Sequence, residues 1–571
     1  MNTLCRIIAI YFICSTSNAT TSTAIVDYSV RHQPVTSNGG MVVSQEQLAS
    51  NIGAQILADG GNAIDAAVAT GFALAVTLPQ AGNLGGGGFM MVHLADENKT
   101  IAIDYRETAP ARAYEQLFQD ESGNVLKDKA RFSHAAAGVP GTVAGLIHAL
   151  EHYGTMNLKQ VLKPAIALAS GGISMTNSLA FSLARRADSF KQDPSSVKYF
   201  FNPQQEPYAI GDTWRQKDLA KTLTTISKHG AKGFYEGPIA DLIVAEMEAN
   251  NGLISKADLA NYAVKERKPV WGDYKGYKIA SMPPPSSGGI HLVQMLNMIE
   301  TGEIDTDGHN SAEYIHLLVN AMKRAYADRS KYLGDPDFND VPQTQLTNKT
   351  YATQLTQGFT DKATPSSEIH PGLPARPESP DTTHYSVWDK YGNVVSNTYT
   401  LNFSFGSGKS VDGAGFLLNN EMDDFSSKPG SPNAYGLIGG KANAIEGGKR
   451  PLSSMTPTIV FKDNAPMMVT GTPGGSTIIT IVLQTLLNVL EFDMNAAQAN
   501  HAPRIHHQWL PDIIFTEEGI NKDTKTLLRD KGYTLKTNRA MGRVQTIINK
   551  NGVLQGASDA RWPDGGVAIS E

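Results

Sequence analysis

The sequence predicts an α+β protein in which a mostly helical amino-terminal part precedes a part built of β-hairpins. Residues 140–360 carry mainly helical patterns that stop at prolines. Beyond residue 382, short runs rich in β-branched and aromatic residues alternate around Gly, Asn and Asp turns. At 571 residues the chain exceeds one ordinary core, so we expect two or more domains or one large layered domain.

The charge of the chain bears on its partners. The formal net charge is −6, and there is no long Lys/Arg run. Nucleic-acid-binding surfaces are strongly basic, so we expect no nucleic-acid partner. Small molecules are the favoured ligands.

The amino terminus is typical of an export signal. Arg6 precedes an apolar run over residues 7–14, and small and polar residues follow. These eight apolar residues fall short of the roughly 20 that a spanning helix needs, so no stable membrane span is expected. We predict a signal peptide over residues 1–24 and an exported protein, periplasmic in a Gram-negative host and otherwise secreted. Both cysteines, Cys5 and Cys14, lie in this segment, which excludes cysteine catalysis and thiolate metal sites in the mature chain.

The first elements carry end signals. Ser44, with Gln47 three residues on, forms a capping-box pattern ahead of one helix, and Asn62 is placed to cap the next. Residues 89–94 and 101–105 predict a hairpin. The glycines just before this hairpin lack the Gly-Lys-Ser/Thr of a phosphate loop, so we expect their backbone to pack closely against a strand.

A punctuated segment separates the two parts of the chain. Residues 364–380 contain five prolines and predict an extended linker that is open to cleavage. The segments beyond it predict three hairpins and two helices. The hairpins are 385–387 with 394–400, 458–461 with 467–470, and 543–548 with 553–555, and the helices are 476–490 and 524–531.

The junction between Asp381 and Thr382 carries a possible nucleophile. If this peptide bond is cut, Thr382 gains a free α-amine, with a reference pKa of about 8, beside its own hydroxyl. Such an amine is the base that activates an N-terminal threonine. Taken alone, two adjacent threonines at the start of a strand are better explained by β propensity, so the nucleophile needs support from other residues.

Polar residues downstream offer a site for an α-amino acid. The return strand of the 385–400 hairpin ends at Thr400 and Asn402, which can come back near Thr382 or serve only as strand and turn residues. Glu421 and Asp424 can supply an anion for a substrate ammonium, although carboxylates at a chain reversal are often solvated or capping.

Two further segments offer hydrogen-bond donors. Ser453 and Ser454 follow a Gly-rich loop and suit a carboxylate ligand. Gly474 and Gly475 open an apolar helix, where backbone N–H groups either stabilise an oxyanion or only cap the helix. Residues 506 and 507 are both histidines, but no third ligand lies at the spacing of a metal site. We therefore expect these histidines to pack or to form hydrogen bonds.

Together these segments resemble the γ-glutamyltransferase (γ-glutamyltranspeptidase) family of the N-terminal nucleophile hydrolase superfamily, over essentially the whole mature chain. The resemblance rests on five separated blocks in one order. They are Thr-Thr-His at 382–384, Thr-Leu-Asn at 400–402, Asn-Glu-Met-Asp-Asp-Phe at 420–425, Arg-Pro-Leu-Ser-Ser-Met at 450–455 and Pro-Gly-Gly at 473–475.

The resemblance implies a fold, a maturation step and a role for each site residue. It implies a four-layer αββα sandwich, autoprocessed between Asp381 and Thr382 into a large subunit (25–381) and a small subunit (382–571), with no metal and no organic cofactor. The implied catalytic residues are Thr382 as nucleophile, Thr400 supporting its hydroxyl, and Gly474 and Gly475 as oxyanion hole. The implied substrate contacts are Arg106, Ser453 and Ser454 for the α-carboxylate, and Asn402, Glu421 and Asp424 for the ammonium.

The implied reaction is acyl transfer from glutathione or a related γ-glutamyl compound to water or to an acceptor amino acid or peptide. Two departures from the family pattern stand out: Glu421, where many bacterial members have glutamine, and Ser-Asp-Ala-Arg at 558–561 in place of Ser-Asp-Pro-Arg. Two alternatives are a cephalosporin (glutaryl) acylase-like amidase and an uncleaved, non-catalytic γ-glutamyl-binding protein. Residues 429–443 resemble a lid segment that favours the transferase.

Overall fold

Two seven-stranded β-sheets organise the structure. The structure is a computed structural model, and it describes residues 32–302, 308–370, 382–428 and 440–570. Three predicted features lie wholly or partly outside the described residues. They are the signal peptide at 1–24, residues 371–381 with the Asp381 side of the junction, and residues 429–439 of the lid-like segment. Among the described helices, none is long and apolar enough to cross a membrane.

The strands of the described chain are numbered in order. They are β1 (Val35–Ser37), β2 (Gly40–Ser44), β3 (Gly87–Leu94), β4 (Lys99–Tyr105), β5 (Ile173–Ser174), β6 (Thr213–Trp214), β7 (Lys265–Arg267), β8 (Val270–Tyr274), β9 (Tyr277–Ser281), β10 (Thr383–Trp388), β11 (Val394–Thr400), β12 (Thr458–Lys462), β13 (Ala465–Gly471), β14 (Ile505–His506), β15 (Ile514–Glu517), β16 (Leu535–Asn538), β17 (Gln545–Lys550), β18 (Val553–Ser558) and β19 (Gly566–Ser570).

The α-helices are numbered in the same way. They are α1 (Gln47–Ala58), α2 (Ala63–Thr77), α3 (Lys127–Phe132), α4 (Thr142–Tyr153), α5 (Leu158–Gly171), α6 (Asn177–Phe190), α7 (Pro194–Phe200), α8 (Lys217–His229), α9 (Lys232–Tyr235), α10 (Pro238–Ala249), α11 (Lys256–Ala260), α12 (Gly288–Glu300), α13 (Ala312–Tyr332), α14 (Gln343–Leu346), α15 (Lys349–Thr356), α16 (Thr477–Leu490), α17 (Ala496–His501) and α18 (Lys522–Asp530).

The sheets and helices form four layers. One sheet has the order β19-β2-β10-β11-β3-β4-β7 and the other the order β1-β18-β17-β13-β12-β9-β8, and they meet where β10 and β11 contact β13 and β17. Helices α1, α2 and α4 cover the first sheet, whereas α12, α16 and α17 cover the second. The predicted αββα sandwich is therefore confirmed.

Alternation along the strands explains the two main cores. In β2, Val42 packs into a core with helix residues such as Phe72, while its neighbours Met41 and Val43 belong to a second core that contains Ile459 of the facing sheet. Successive side chains of a strand point to opposite faces, so one strand of the central sheet lines both cores.

The helix-end predictions fared differently. Asn62 caps α2 as predicted, because its side chain accepts the Ile64 and Asp65 N–H groups while the Asp65 carboxylate accepts the Asn62 N–H. The Ser44 prediction is wrong: Ser44 stays in β2, paired with Tyr385, and Glu46 caps α1 instead. Strand pairing with a distant segment overrides the local capping pattern.

The hairpins and helices predicted after residue 382 are confirmed, with small shifts at their ends. Within 140–360, however, β7, β8 and β9 interrupt the helical region. Strand β9 pairs with β12, which lies nearly two hundred positions later in the chain. Ile279, for example, pairs with Val460. A partner so far along the chain leaves no local signal in the sequence.

The linker prediction is wrong for residues 364–370. A short 3₁₀ helix, Ser366–Glu368, forms there. The Ser366 N–H donates to Asp512 Oδ2 at 2.7 Å, its carbonyl accepts the Trp509 Nε1–H at 2.9 Å, and Ile369 is buried. This part of the segment is therefore held against the 509–512 loop.

Candidate active site

One cavity brings together nine of the ten predicted site residues. Its lining includes Thr382, Thr400, Arg106, Asn402, Glu421, Asp424, Ser453, Ser454 and Gly475, with Arg329, Phe425, Asn443, Leu452, Met455, Ser476 and Ile478. The tenth, Gly474, is not in the lining and directly precedes Gly475. These residues come from both predicted subunits.

Thr382 and Thr400 are brought together by the β10–β11 hairpin. In its antiparallel register Thr383 lies opposite Tyr399, so the next pair of positions is Thr382 and Thr400. Thr382 is buried, and its carbonyl accepts a hydrogen bond from Gln45 Nε2 at 3.4 Å. The predicted nucleophile and its predicted supporting hydroxyl thus lie at one end of one hairpin.

The backbone around Thr400 is closely packed. Its Oγ1 accepts the Asn402 N–H at 2.8 Å, and its carbonyl accepts Asn83 Nδ2–H at 3.0 Å. A Cβ placed on Gly86 would lie only 2.0 Å from the Thr400 carbonyl oxygen. The expected close approach of the glycine segment to a strand is therefore confirmed, and it fixes the end of β11.

Asn402 links the hairpin to the acidic turn. Its φ of 73° lies in the left-handed region, which asparagine tolerates better than most residues. Its Nδ2–H donates to the Asn420 carbonyl at 3.0 Å, next to a 3₁₀ helix at Glu421–Asp424. The hairpin thereby positions both predicted ammonium-binding carboxylates.

Arg106 is paired with those two carboxylates. Its Nη1–H donates to Glu421 Oε1, and its Nη2–H donates to Asp424 Oδ2 at 2.6 Å. Glu107 Oε2 lies 3.6 Å from Nη1. One buried guanidinium therefore serves three carboxyl groups, so the residues predicted to bind opposite charges of the substrate contact one another here.

Burial sets the protonation of this cluster. It raises the pKa of Glu421, raises that of Asp424, and raises the pKa of Glu107 to about 7, although Arg106 opposes each shift. Burial alone would lower the pKa of Arg106, but Glu421, Glu107 and Asp424 outweigh it, and the pKa is raised. Arg106 stays charged while the carboxyl groups compete for it.

Ser453 and Ser454 belong to a separate loop of the sequence but line the same cavity. Ser453 Oγ accepts the Met455 N–H at 3.1 Å, and Ser454 Oγ accepts the Arg329 Nη2–H at 3.0 Å. Asn443 joins this loop to the acidic turn, since its Oδ1 accepts the Leu452 N–H and its Nδ2–H donates to the Asp424 carbonyl.

The glycine turn lies between β13 and α16. Gly474 has φ of 145° and Gly475 has φ of 55°, values that side-chain-bearing residues rarely adopt. A Cβ on Gly474 would lie 2.5 Å from Thr477 Oγ1. The turn therefore requires glycine, and it brings the start of an apolar helix to the cavity.

Histidines of the site region are held as neutral, hydrogen-bonded groups. Burial lowers the pKa of His384 to about 3, and its two ring nitrogens lie within hydrogen-bond distance of Thr398 and Ser386. His506 contacts Thr480 and His507 contacts Asp512, as expected for packing and hydrogen bonding.

Among the described residues, one group of His and carboxylate side chains has the spacing of a metal site. His134, Asp193 and Glu246 have ligand atoms within 4.8 Å of one another. His134 Nε2 already lies 3.0 Å from Glu246 Oε1, and Asp193 caps α7. None of the three lines the cavity, so we assign this group to the packing of the fold.

Three polar lining residues carry no predicted role in the sequence: Arg329, Asn443 and Ser476, which directly follows Gly475. Arg329 lies on α13, which reaches the cavity from a helical region without any nearby motif. Asn443 falls at the end of the lid-like segment, which by itself assigns no single residue to the site. Only the folded structure brings them together with the motif residues.

Comparisons with known proteins show which family the chain resembles over most of its length. Residues 49–569 match the family model described as gamma-glutamyltranspeptidase. The chain is 51% identical to the glutathione hydrolase proenzyme of Escherichia coli (strain K12) over 541 residues, 94% of this chain and 93% of that protein.

Two solved structures are also similar. The Helicobacter pylori γ-glutamyltranspeptidase is 50% identical with a TM-score of 0.56, covering 57% of this chain and 93% of that chain. The cephalosporin acylase from Bacillus halodurans is 28% identical with a TM-score of 0.84, covering 96% of this chain and 98% of that chain. The sequence identity is thus higher to the H. pylori γ-glutamyltranspeptidase than to the B. halodurans cephalosporin acylase.

Proposed function

Because the chain belongs to the γ-glutamyltranspeptidase family, we propose that it is an enzyme that cleaves the γ-glutamyl amide of glutathione and related compounds. It passes the γ-glutamyl group to water or to an acceptor amino acid or peptide. The observation that carries this proposal is the convergence of nine predicted site residues, from both parts of the chain, on one cavity.

The precursor cleaves itself between Asp381 and Thr382 to give subunits 25–381 and 382–571. The Thr382 hydroxyl attacks the carbonyl carbon of residue 381, the peptide nitrogen takes a proton and becomes the α-amine, and water then hydrolyses the ester. The E. coli relative is named a proenzyme, which supports such a step. The position of Thr382 immediately before β10 supports it as well.

In the mature enzyme the Thr382 α-amine takes the proton of the Thr382 hydroxyl. The hydroxyl oxygen attacks the γ-carbonyl carbon, the Gly474 and Gly475 N–H groups stabilise the oxyanion, and the departing amine takes up the proton. Water or an acceptor amine then opens the ester. Thr400 supports the Thr382 hydroxyl. With a pKa of about 3, His384 is a poor alternative base at neutral pH, which favours the α-amine.

The substrate is recognised through its two α-substituents. Asn402, Glu421 and Asp424 bind the ammonium, and Ser453, Ser454 and Arg106 bind the carboxylate. Two carboxyl groups in the lining suit an acyl group with an α-amine, which a glutaryl group lacks. This feature and the higher identity to glutathione hydrolase disfavour the acylase-like amidase.

Release of nitroaniline from γ-glutamyl-4-nitroanilide tests the proposal. We expect turnover that rises with an acceptor dipeptide, much slower turnover of glutaryl-4-nitroanilide, and two bands on a denaturing gel. A single full-length band without turnover would support the non-catalytic binding protein, and preference for the glutaryl donor would support the amidase. Thr382→Ala is the matched control and should stay uncleaved and inactive.

The mature protein is exported after removal of residues 1–24. An apolar run of this length behind Arg6 is typical of a signal peptide. Amino-terminal sequencing of the large subunit, recovered outside the cytoplasm, is the corresponding test, and retention of Met1 there would contradict it.

A further inference from the structure

We propose that Arg329 is a positioning and specificity residue that aligns Ser453 and Ser454 to receive the α-carboxylate of the donor. This inference rests on the proposed function, and it adds a second guanidinium that acts on the substrate carboxylate through these two serines. Arg329 lies near the end of α13, is almost completely buried, and lines the cavity.

The first step of the argument is the bond to Ser454. Arg329 Nη2–H donates to Ser454 Oγ at 3.0 Å. A serine hydroxyl has one proton to donate and two lone pairs that accept. Because Arg329 occupies a lone pair, the proton of Ser454 remains available for another acceptor. A carboxylate in the cavity, which only accepts, is such a partner.

The second step is the link to Ser453. Arg329 Nε–H donates to Ser287 Oγ at 2.8 Å. Ser287 in turn donates both its hydroxyl and its backbone N–H to the Ser453 carbonyl, each at 2.8 Å. One guanidinium therefore fixes both serines of a loop that has no regular secondary structure of its own.

The third step is charge. Arg106 is bonded to Glu421 and Asp424 and lies near Glu107, so a substrate carboxylate approaching Arg106 meets three carboxyl groups. Arg329 supplies a second positive charge to the same lining. Burial raises the pKa of Asp424, and Arg329 acts with Arg106 in the opposite direction, so its charge is felt within the site.

The neighbouring carboxylate does not join this arrangement. Asp328 Oδ2 accepts hydrogen bonds from Gln294 Nε2 at 2.6 Å and Tyr351 Oη at 2.9 Å. Arg329 and Asp328 thus have different partners despite being adjacent.

The bonds from Arg329 to Ser287 and Ser454 select donors that carry an α-carboxylate, and their loss should relax that selection.

The test compares two donors, γ-glutamyl-4-nitroanilide and 4-aminobutyryl-4-nitroanilide, which lacks only the α-carboxylate. For Arg329→Gln we expect KM of the γ-glutamyl donor to rise about 10- to 100-fold, the range for loss of a charged hydrogen-bond partner. KM of the second donor should stay nearly constant, so the preference falls by the same factor. Arg329→Lys should recover part of it.

Arg324→Gln is the matched control, because Arg324 is a buried arginine of the same helix that bonds to Asn320 and does not line the cavity. It should leave the donor preference unchanged. An Arg329→Gln enzyme that keeps the wild-type preference, or loses turnover of both donors equally, overturns the inference.

Failure of the proposed function is separable from failure of the inference. A correctly folded wild-type enzyme that releases no nitroaniline from the γ-glutamyl donor contradicts the function itself. If Arg329→Gln does not mature, Arg329→Lys decides, because it keeps the charge but loses the planar fork that bonds to both Ser287 and Ser454. A selective rise in KM for the γ-glutamyl donor supports the inference, and an unchanged preference overturns it.

Discussion

Replacing Asp424 by asparagine isolates the charge that we assign to the substrate ammonium. The substitution keeps an oxygen that can accept the Arg106 Nη2–H, now 2.6 Å from Asp424 Oδ2, and removes one negative charge from the cavity lining. Asp423→Asn is the matched control. It removes the same charge from the same 3₁₀ turn, but Asp423 accepts from Arg131 at 3.4 Å and does not line the cavity.

The expected magnitude follows from the change in hydrogen-bond partner. A hydrogen bond between two charged groups contributes about 1–2 kcal/mol more than one with a neutral acceptor. At about 1.4 kcal/mol per factor of ten, KM of a γ-glutamyl donor should rise about 5- to 30-fold. A glutaryl donor has no ammonium, so its KM should hardly change, and the preference for γ-glutamyl over glutaryl should fall by the same factor.

Steady-state rates with γ-glutamyl- and glutaryl-4-nitroanilide measure this preference directly. Both variants must first be checked for two subunits, so that maturation and binding are separated. An Asp424→Asn enzyme with the wild-type preference would refute the ammonium assignment. An equal loss in Asp423→Asn would show that the effect is a general response to lost charge on this turn.

Three further perturbations test the surroundings of the site. Thr400→Val removes the acceptor of the Asn402 N–H and should slow both maturation and turnover at least about tenfold. Thr400→Ser should restore both. Denaturing gels measure maturation, and nitroaniline release measures turnover. Gly86→Ala places a Cβ 2.0 Å from the Thr400 carbonyl oxygen and should lower the free energy of unfolding by about 1–3 kcal/mol, measured as a lower midpoint of thermal unfolding. Gly171→Ala is the control, because its Cβ would meet open space, and it should not lower that midpoint. Burial raises the pKa of Glu107 to about 7 in the folded protein, so the folded state binds its proton more tightly and stability falls as pH rises from about 4.5 to 7. Glu107→Gln removes up to about 3 kcal/mol of this loss, so its unfolding midpoint should exceed that of the wild type at pH 8 and approach it at about pH 4. Equal midpoints at pH 8 would contradict the shift in the pKa of Glu107.

Local patterns predicted the secondary structure where the partner lay close in the chain. The β10–β11 hairpin and the Asn62 cap depend on residues within about twenty positions, and both formed as expected. The Ser44 cap did not, because β2 pairs with β10 more than three hundred positions away. The same reason hides β9, whose partner is β12.

The site divides in the same way. Thr382, Glu421 and Ser453 were predicted because each lies in one of five short motifs whose order along the chain carries the family resemblance. Arg329 belongs to a long amphipathic helix, where a buried arginine has no distinguishing sequence pattern. The contact between Arg106 and Glu421 was also not predictable, because no pattern indicates that residues assigned to opposite substrate charges bond to each other.

The most direct test of the account is mass spectrometry of the purified, folded protein incubated with a slowly hydrolysed γ-glutamyl donor. We predict a polypeptide spanning 382–571 that begins at Thr382 and gains the mass of one γ-glutamyl group, with Thr382→Ala showing neither change. A protein that turns over the donor while its chain remains uncut between Asp381 and Thr382 would contradict the central claim.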